Sequence, residues 1–170
     1  NNNNDALRAL LLQRSVAYST LQNFDAAIAD ATTLLSIDST SAMAYWHRAV
    51  CQMAMSGFKA SNGVDVKLQE AGALSDLNKA IALKPQNAYL YYCRANLYAH
   101  QGNNEKAVAD YTSAIKLDNR FAEAYFNRGL TYITLDNRSQ GVKDLSKAGE
   151  LGLYSAYNII KKNSASATKK

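Results

Sequence analysis

Four arginines and four aspartates recur in register along the chain. Arg14, Arg48, Arg94 and Arg128 stand 34, 46 and 34 residues apart, and each is followed by an aspartate: Asp30, Asp76, Asp110 and Asp144. A guanidinium near a carboxylate can stabilise charge on a substrate, or it can hold two segments together through a bidentate ion pair. Repetition decides between these uses, because an enzyme has little reason to build one site four times. Each arginine precedes its aspartate by 16 residues, except for 28 between Arg48 and Asp76. In a helical hairpin with its turn at Gly102, Arg94 and Asp110 lie eight residues either side of the turn and sit level. The spacing predicts four structural ion pairs, buried or half-buried between antiparallel helices.

No other arrangement supplies chemistry. His47 and His100 are the only histidines and lack ligand spacing, so no metal site is expected. Cys51 and Cys93 have no neighbouring cysteine and read as reduced, partly buried thiols. There is no Gly-rich phosphate loop, nucleophile motif or pair of catalytic carboxylates. The expectation is a protein without catalytic residues, metal or cofactor, and so not an enzyme. The formal charge is +5, but Lys161, Lys162, Lys169 and Lys170 supply most of it and the body is near neutral. That argues against nucleic acid, which needs basic residues clustered on a folded face. No apolar run approaches the roughly 18 residues of a membrane span. The cysteines fix no compartment: the expectation is a soluble protein, cytoplasmic or periplasmic. The start, Asn1 to Asn4 without a methionine, reads as a fragment or processed form.

The elements that must position these residues follow from the period. A fixed spacing of about 20–50 residues marks a stacked repeat. Between Asp5 and Lys162 the pattern is helical, with one proline, Pro85, and no sustained alternation. In the third repeat Tyr91, Arg94, Ala95 and Tyr98 follow helical spacing, Gly102-Asn103-Asn104 is a turn, and Ala107, Val108, Tyr111, Ala114 and Ile115 form a second apolar face. The repeats are 8–41, 42–87, 88–121 and 122–155, after an Asn-rich start and helix beginning at 1–7. The long interval of 46 against 34 places a 12-residue insertion at about 59–70, expected as a lengthened turn. Residues 156–162 are expected to form a capping helix, and 163–170 a disordered basic tail.

The chain resembles a tetratricopeptide repeat array. Aromatics open the first helices as Tyr45, Tyr91 and Tyr125, with Leu11 in the first repeat. Small residues follow at Ser15, Ala49, Ala95 and Gly129, then tyrosines at Tyr18, Tyr98 and Tyr132, with Gln52 as the exception. The second helices carry Ala27, Ala73, Ala107 and Gly141, then Leu34, Ala80, Ala114 and Ala148. The resemblance implies an all-α, right-handed α-solenoid of four helix-turn-helix repeats plus the C-terminal capping helix. It also implies a concave groove lined by the first helices. Carried onto this chain, the groove positions are Ala9, Leu12 and Val16; Met43, Trp46 and Val50; Tyr89, Tyr92 and Asn96; Glu123, Phe126 and Leu130. Gln13, His47, Cys93 and Asn127 flank them. Some family members grip a terminal carboxylate with Lys and Asn at these slots, but no Lys occupies them here. An aromatic lining suits an apolar or extended peptide. The expected function is a protein-interaction module, a scaffold or adaptor holding a peptide or protein segment. The alternative is a structural section of a larger repeat protein, or a self-associating assembly with no separate ligand.

Overall fold

The second helices show why this sequence folds as it does. Each buries residues at i, i+3, i+4, i+7 and i+8: Ala27, Asp30, Ala31, Leu34 and Leu35 in one, and Ala107, Asp110, Tyr111, Ala114 and Ile115 in another. That spacing is one face of an α-helix, and the repeated aspartate sits on it. The computed structural model describes residues 2–61 and 66–167, and over them the chain is helix and turn only. The helices are α1 (Asn2–Thr20), α2 (Phe24–Ile37), α3 (Ala42–Ser61), α4 (Lys67–Leu83), α5 (Ala88–His100), α6 (Asn104–Leu117), α7 (Ala122–Thr134), α8 (Arg138–Glu150) and α9 (Ser155–Ala167). They fall into two compact modules, one of residues Asn1–Gln86 and one of Asn87–Lys170. In the first, α1 packs on α2, α2 on α3 and α3 on α4; in the second, α5 packs on α6, and so on through α9.

Local chemistry sets the turns. Gln22, Gly102 and Asp136 occupy matching positions in three hairpins and all adopt positive φ, at 60°, 75° and 59°. This left-handed residue ends the first helix. Asparagines cap the helices that follow: Asn23 accepts from the Ala26 N–H, and Asn137 from the Gln140 N–H. Small residues then bring the paired helices together. Ser15 donates its hydroxyl to the Ala27 carbonyl at 2.7 Å. In the last hairpin both partners are glycine: a Cβ on Gly141 would lie 2.7 Å from Ile133 Cγ1 and 2.8 Å from the Gly129 carbonyl oxygen.

Two expectations need correction. The 12 extra residues do not form a long loop. Ser56, which matches the left-handed turn residues, is helical, and α3 runs to Ser61 while α4 starts at Lys67. α3 therefore has 20 residues where α5 has 13. α3 takes in Lys59, Ala60 and Ser61, and α4 begins with Lys67, Leu68, Gln69 and Glu70, mostly good helix formers, so both ends of the insertion extend the flanking helices. Its residues 62–65, Val64 among them, lie outside the described residues. The terminal helix likewise outruns 156–162: α9 continues to Ala167, through part of the stretch expected to be disordered. The run Asn163-Ser164-Ala165-Ser166-Ala167 is polar but contains no Gly or Pro to end the helix. Residues 168–170 lie outside the described residues.

Candidate functional site

The repeated arginines meet the repeated aspartates within each hairpin. Arg94 Nε donates to Asp110 Oδ2 at 2.6 Å and Nη2 to Oδ1 at 2.8 Å. Arg48 with Asp76, Arg128 with Asp144, and Arg14 with Asp30 are bidentate in the same way. Tyrosine rings flank the guanidinium: Tyr125 and Tyr132 lie 5.5 and 5.9 Å from that of Arg128. These groups have their charges and hydrogen bonds matched internally. Among the described residues no group of His, Cys, Asp and Glu could hold a metal ion.

The first-helix residues divide by burial. In the N-terminal module Met43 is exposed, and Trp46 and Val50 are half-buried. His47 is not available to a ligand: it is 5% exposed, lies against the Trp46 ring, and has Nε2 3.7 Å from Cys51 Sγ. The reason is its place on the helix. Ala44, His47 and Cys51 form the i, i+3, i+7 stripe of α3, and all three are buried. Burial also raises the Cys51 thiol to a pKa of about 11, which removes it as a nucleophile.

In the C-terminal module Tyr89 and Glu123 are exposed, while Tyr92, Asn96, Phe126, Asn127 and Leu130 are half-buried. Two of the aromatics serve packing. Tyr92 packs against Phe121 with ring centroids 4.7 Å apart and the rings tilted by 41°, and Phe126 packs with Leu130 on Leu145, Ala148 and Ala156. What remains for a ligand is polar. Tyr111 donates its hydroxyl to Asn96 Oδ1 at 2.6 Å, and Asn127 Nδ2 donates to the same oxygen at 2.9 Å and to the Tyr92 hydroxyl at 3.2 Å. Burial raises the Tyr111 pKa, so it stays a donor. Asn96, Tyr111 and Asn127 line a cleft of about 470 Å³ together with His100, Leu130 and Thr131. No lysine, arginine or carboxylate lines it. The Asn96 amide nitrogen and the Asn127 carbonyl oxygen take no part in the network. Both residues line the cleft, which therefore presents carboxamides rather than charges.

The sequence places Tyr111 only on the apolar face of the second helix and not in the groove, although a signal exists. Its counterparts in the other repeats are Ala31, Leu77 and Leu145, and those of Asn96 are Val16, Val50 and Leu130. The third repeat alone replaces an apolar pair by a phenol and a carboxamide, and the two side chains meet.

Family comparison matches a tetratricopeptide repeat at residues 9–41 and 122–151, another at 77–109, and a TPR repeat at 95–136. A search of curated proteins found no match. Among solved structures, the chain is similar to MamA, with 26% identity, 88% of this chain and 81% of that chain covered, and a TM-score of 0.75. It is also similar to the first TPR of Spaghetti (RPAP3) bound to an HSP90 peptide, at 21% identity, 76% and 93% coverage and a TM-score of 0.66. A third is YrrB, described as a TPR protein with an unusual peptide-binding site, at 21% identity, 89% and 90% coverage and a TM-score of 0.52. These neighbours are helical-repeat proteins, and the all-α repeat solenoid is the fold class of this chain. With its arginine–aspartate hairpins, small helix-contact residues and matches in both modules, the chain belongs to the tetratricopeptide repeat family.

Proposed function

We propose that this protein is an interaction module whose C-terminal module holds an extended segment of another protein in the cleft between α5, α6 and α7. The observation that carries this reading is the Tyr92–Asn127–Asn96–Tyr111 network at the cleft. It fixes two carboxamides so that one presents a donor and the other an acceptor. The N–H and C=O of one extended residue point to the same side and supply the complementary pair, and two pre-oriented hydrogen bonds read them whatever the side chain. The uncharged lining disfavours a ligand held by its carboxylates, since no cation would replace the water lost. Half-buried Leu130 and Ala99 supply apolar contact in the cleft. The HSP90 peptide complex among the structural neighbours shows that a related fold takes a peptide; it does not carry that ligand over.

The test is a random-peptide selection on the intact chain, followed by calorimetry with the enriched sequences. The double variant Asn96→Val, Tyr111→Leu rewrites the third repeat with residue types used by the others, so the fold should persist. Binding weakened about tenfold or more in that variant, with an unchanged melting curve, supports the proposal. Enriched peptides that bind the variant and the parent equally would overturn it.

A further inference from the structure

Among the twelve groove positions of the four first helices, Glu123 is the single charged residue. It is exposed and forms no ion pair with Arg120, three residues before it, or with any other described cation. Its counterpart one repeat earlier is Tyr89; each is the second residue of its helix, in α7 and α5. Phe121, two residues before Glu123, stacks its ring on Tyr89 with centroids 6.3 Å apart and an interplanar angle of 18°. Tyr92 completes the cluster, 5.8 Å from Tyr89 and 4.7 Å from Phe121. Tyr92 and Phe121 are half-buried, whereas Tyr89 is 47% exposed. Cys93, burial, Tyr92 and Glu123 together raise the Tyr89 pKa, so the carboxylate is near enough to act on the phenol.

An exposed aromatic ring with a carboxylate beside it is complementary to a flat cation. We infer that the segment held in the cleft carries an arginine whose guanidinium stacks on Tyr89 and pairs with Glu123, an inference that rests on the reading of the cleft given above. A guanidinium fits better than an ammonium, because it is planar, weakly hydrated and able to stack while it pairs with a carboxylate. Helix geometry sets the register. Tyr89 precedes Asn96 by seven residues on α5, about 10 Å along the axis. About three residues of extended chain cover that distance. The arginine therefore stands about three residues from the one read by Asn96 and Asn127. Ala9 and Met43 hold the matching positions in the N-terminal module, and neither would attract a cation. A carboxylate in the first turn also favours its own helix through the dipole. That role alone predicts a lower melting temperature without Glu123 and no change in the ligand chosen.

The probe is a random nonapeptide pool selected on the intact chain. Enriched peptides are remade with citrulline, the uncharged isostere, in place of arginine, and both forms are titrated by calorimetry. The expected result is a shared arginine whose replacement by citrulline weakens binding about 3- to 30-fold, the combined range of an exposed ring contact and an exposed ion pair. In Glu123→Gln, and separately in Tyr89→Leu, that ratio should fall to half or less. In Asn96→Val, Tyr111→Leu binding should weaken while the ratio persists. Enriched peptides without arginine, or a citrulline ratio unchanged in Glu123→Gln, overturn the inference; if Asn96→Val, Tyr111→Leu still weakens binding, the reading of the cleft stands without it. Peptides indifferent to Asn96→Val, Tyr111→Leu overturn the reading of the cleft and this inference with it.

Discussion

Replacing Arg128 by alanine tests whether the repeated ion pairs are structural ties. The Arg128 side chain is 14% exposed and that of Asp144 9% exposed. It makes two bonds to Asp144, one to Thr112, and lies against two tyrosine rings. Truncation strands a buried carboxylate, which costs about 3–5 kcal/mol in comparable sites, and forfeits ring contacts of about 0.5–1 kcal/mol each. Water entering the space left by the side chain offsets part of this, so we expect a loss of about 3–4 kcal/mol. For a chain of this size that is a melting temperature lower by about 6–16 °C. Repeat arrays can unfold piecewise, so urea denaturation followed by circular dichroism should be paired with amide exchange in α7 and α8. The double variant Arg128→Ala, Asp144→Ala removes the stranded charge and should be less destabilised than the two single losses added together. A coupling below about 0.5 kcal/mol, or an Arg128→Ala loss under about 1 kcal/mol, would refute the reasoning.

Gly141→Ala should destabilise by about 1–3 kcal/mol despite the better helix propensity of alanine, because one of the atoms it meets is backbone; thermal melting checks this. Gly149→Ala places a methyl 2.5 Å from the Tyr157 ring and should speed amide exchange in α9 while leaving α5 and α6 unchanged. Cys51 should resist an aromatic disulfide reagent at pH 8 until the chain is denatured, since it is buried and its thiol titrates near 11. The sign of the linked effect follows: the unfolded thiol ionises near 9 and the folded one near 11, so stability falls as pH rises through that window. Urea midpoints measured between pH 8 and 11 on the parent and on Cys51→Ala would isolate it.

The repeat architecture was legible because its causes are periodic. Arginine, aspartate and the small residues recur at fixed offsets, and each has one partner in a helical hairpin. The insertion was located but misread as a loop, because its length shows in the count and its helicity does not. His47 was placed beside the groove by analogy with its neighbours along α3. The stripe with Ala44 and Cys51, which buries it, is visible only once α2 is known to cover that face. The cleft was half legible: Asn96 and Asn127 were named, but Tyr111 comes from the second helix. Only the departure of the third repeat from the Val–Leu pattern of the others marks the pair.

The central claim is that the Asn96–Asn127 pair reads the backbone N–H and C=O of one extended residue. The most direct measurement is the side-chain amide spectrum of the isotope-labelled chain during titration with a peptide selected on it. The account predicts that the Asn96 amide protons shift downfield and become protected from exchange, with contacts from the peptide backbone to both asparagines. A bound peptide that leaves both amides unmoved would contradict it.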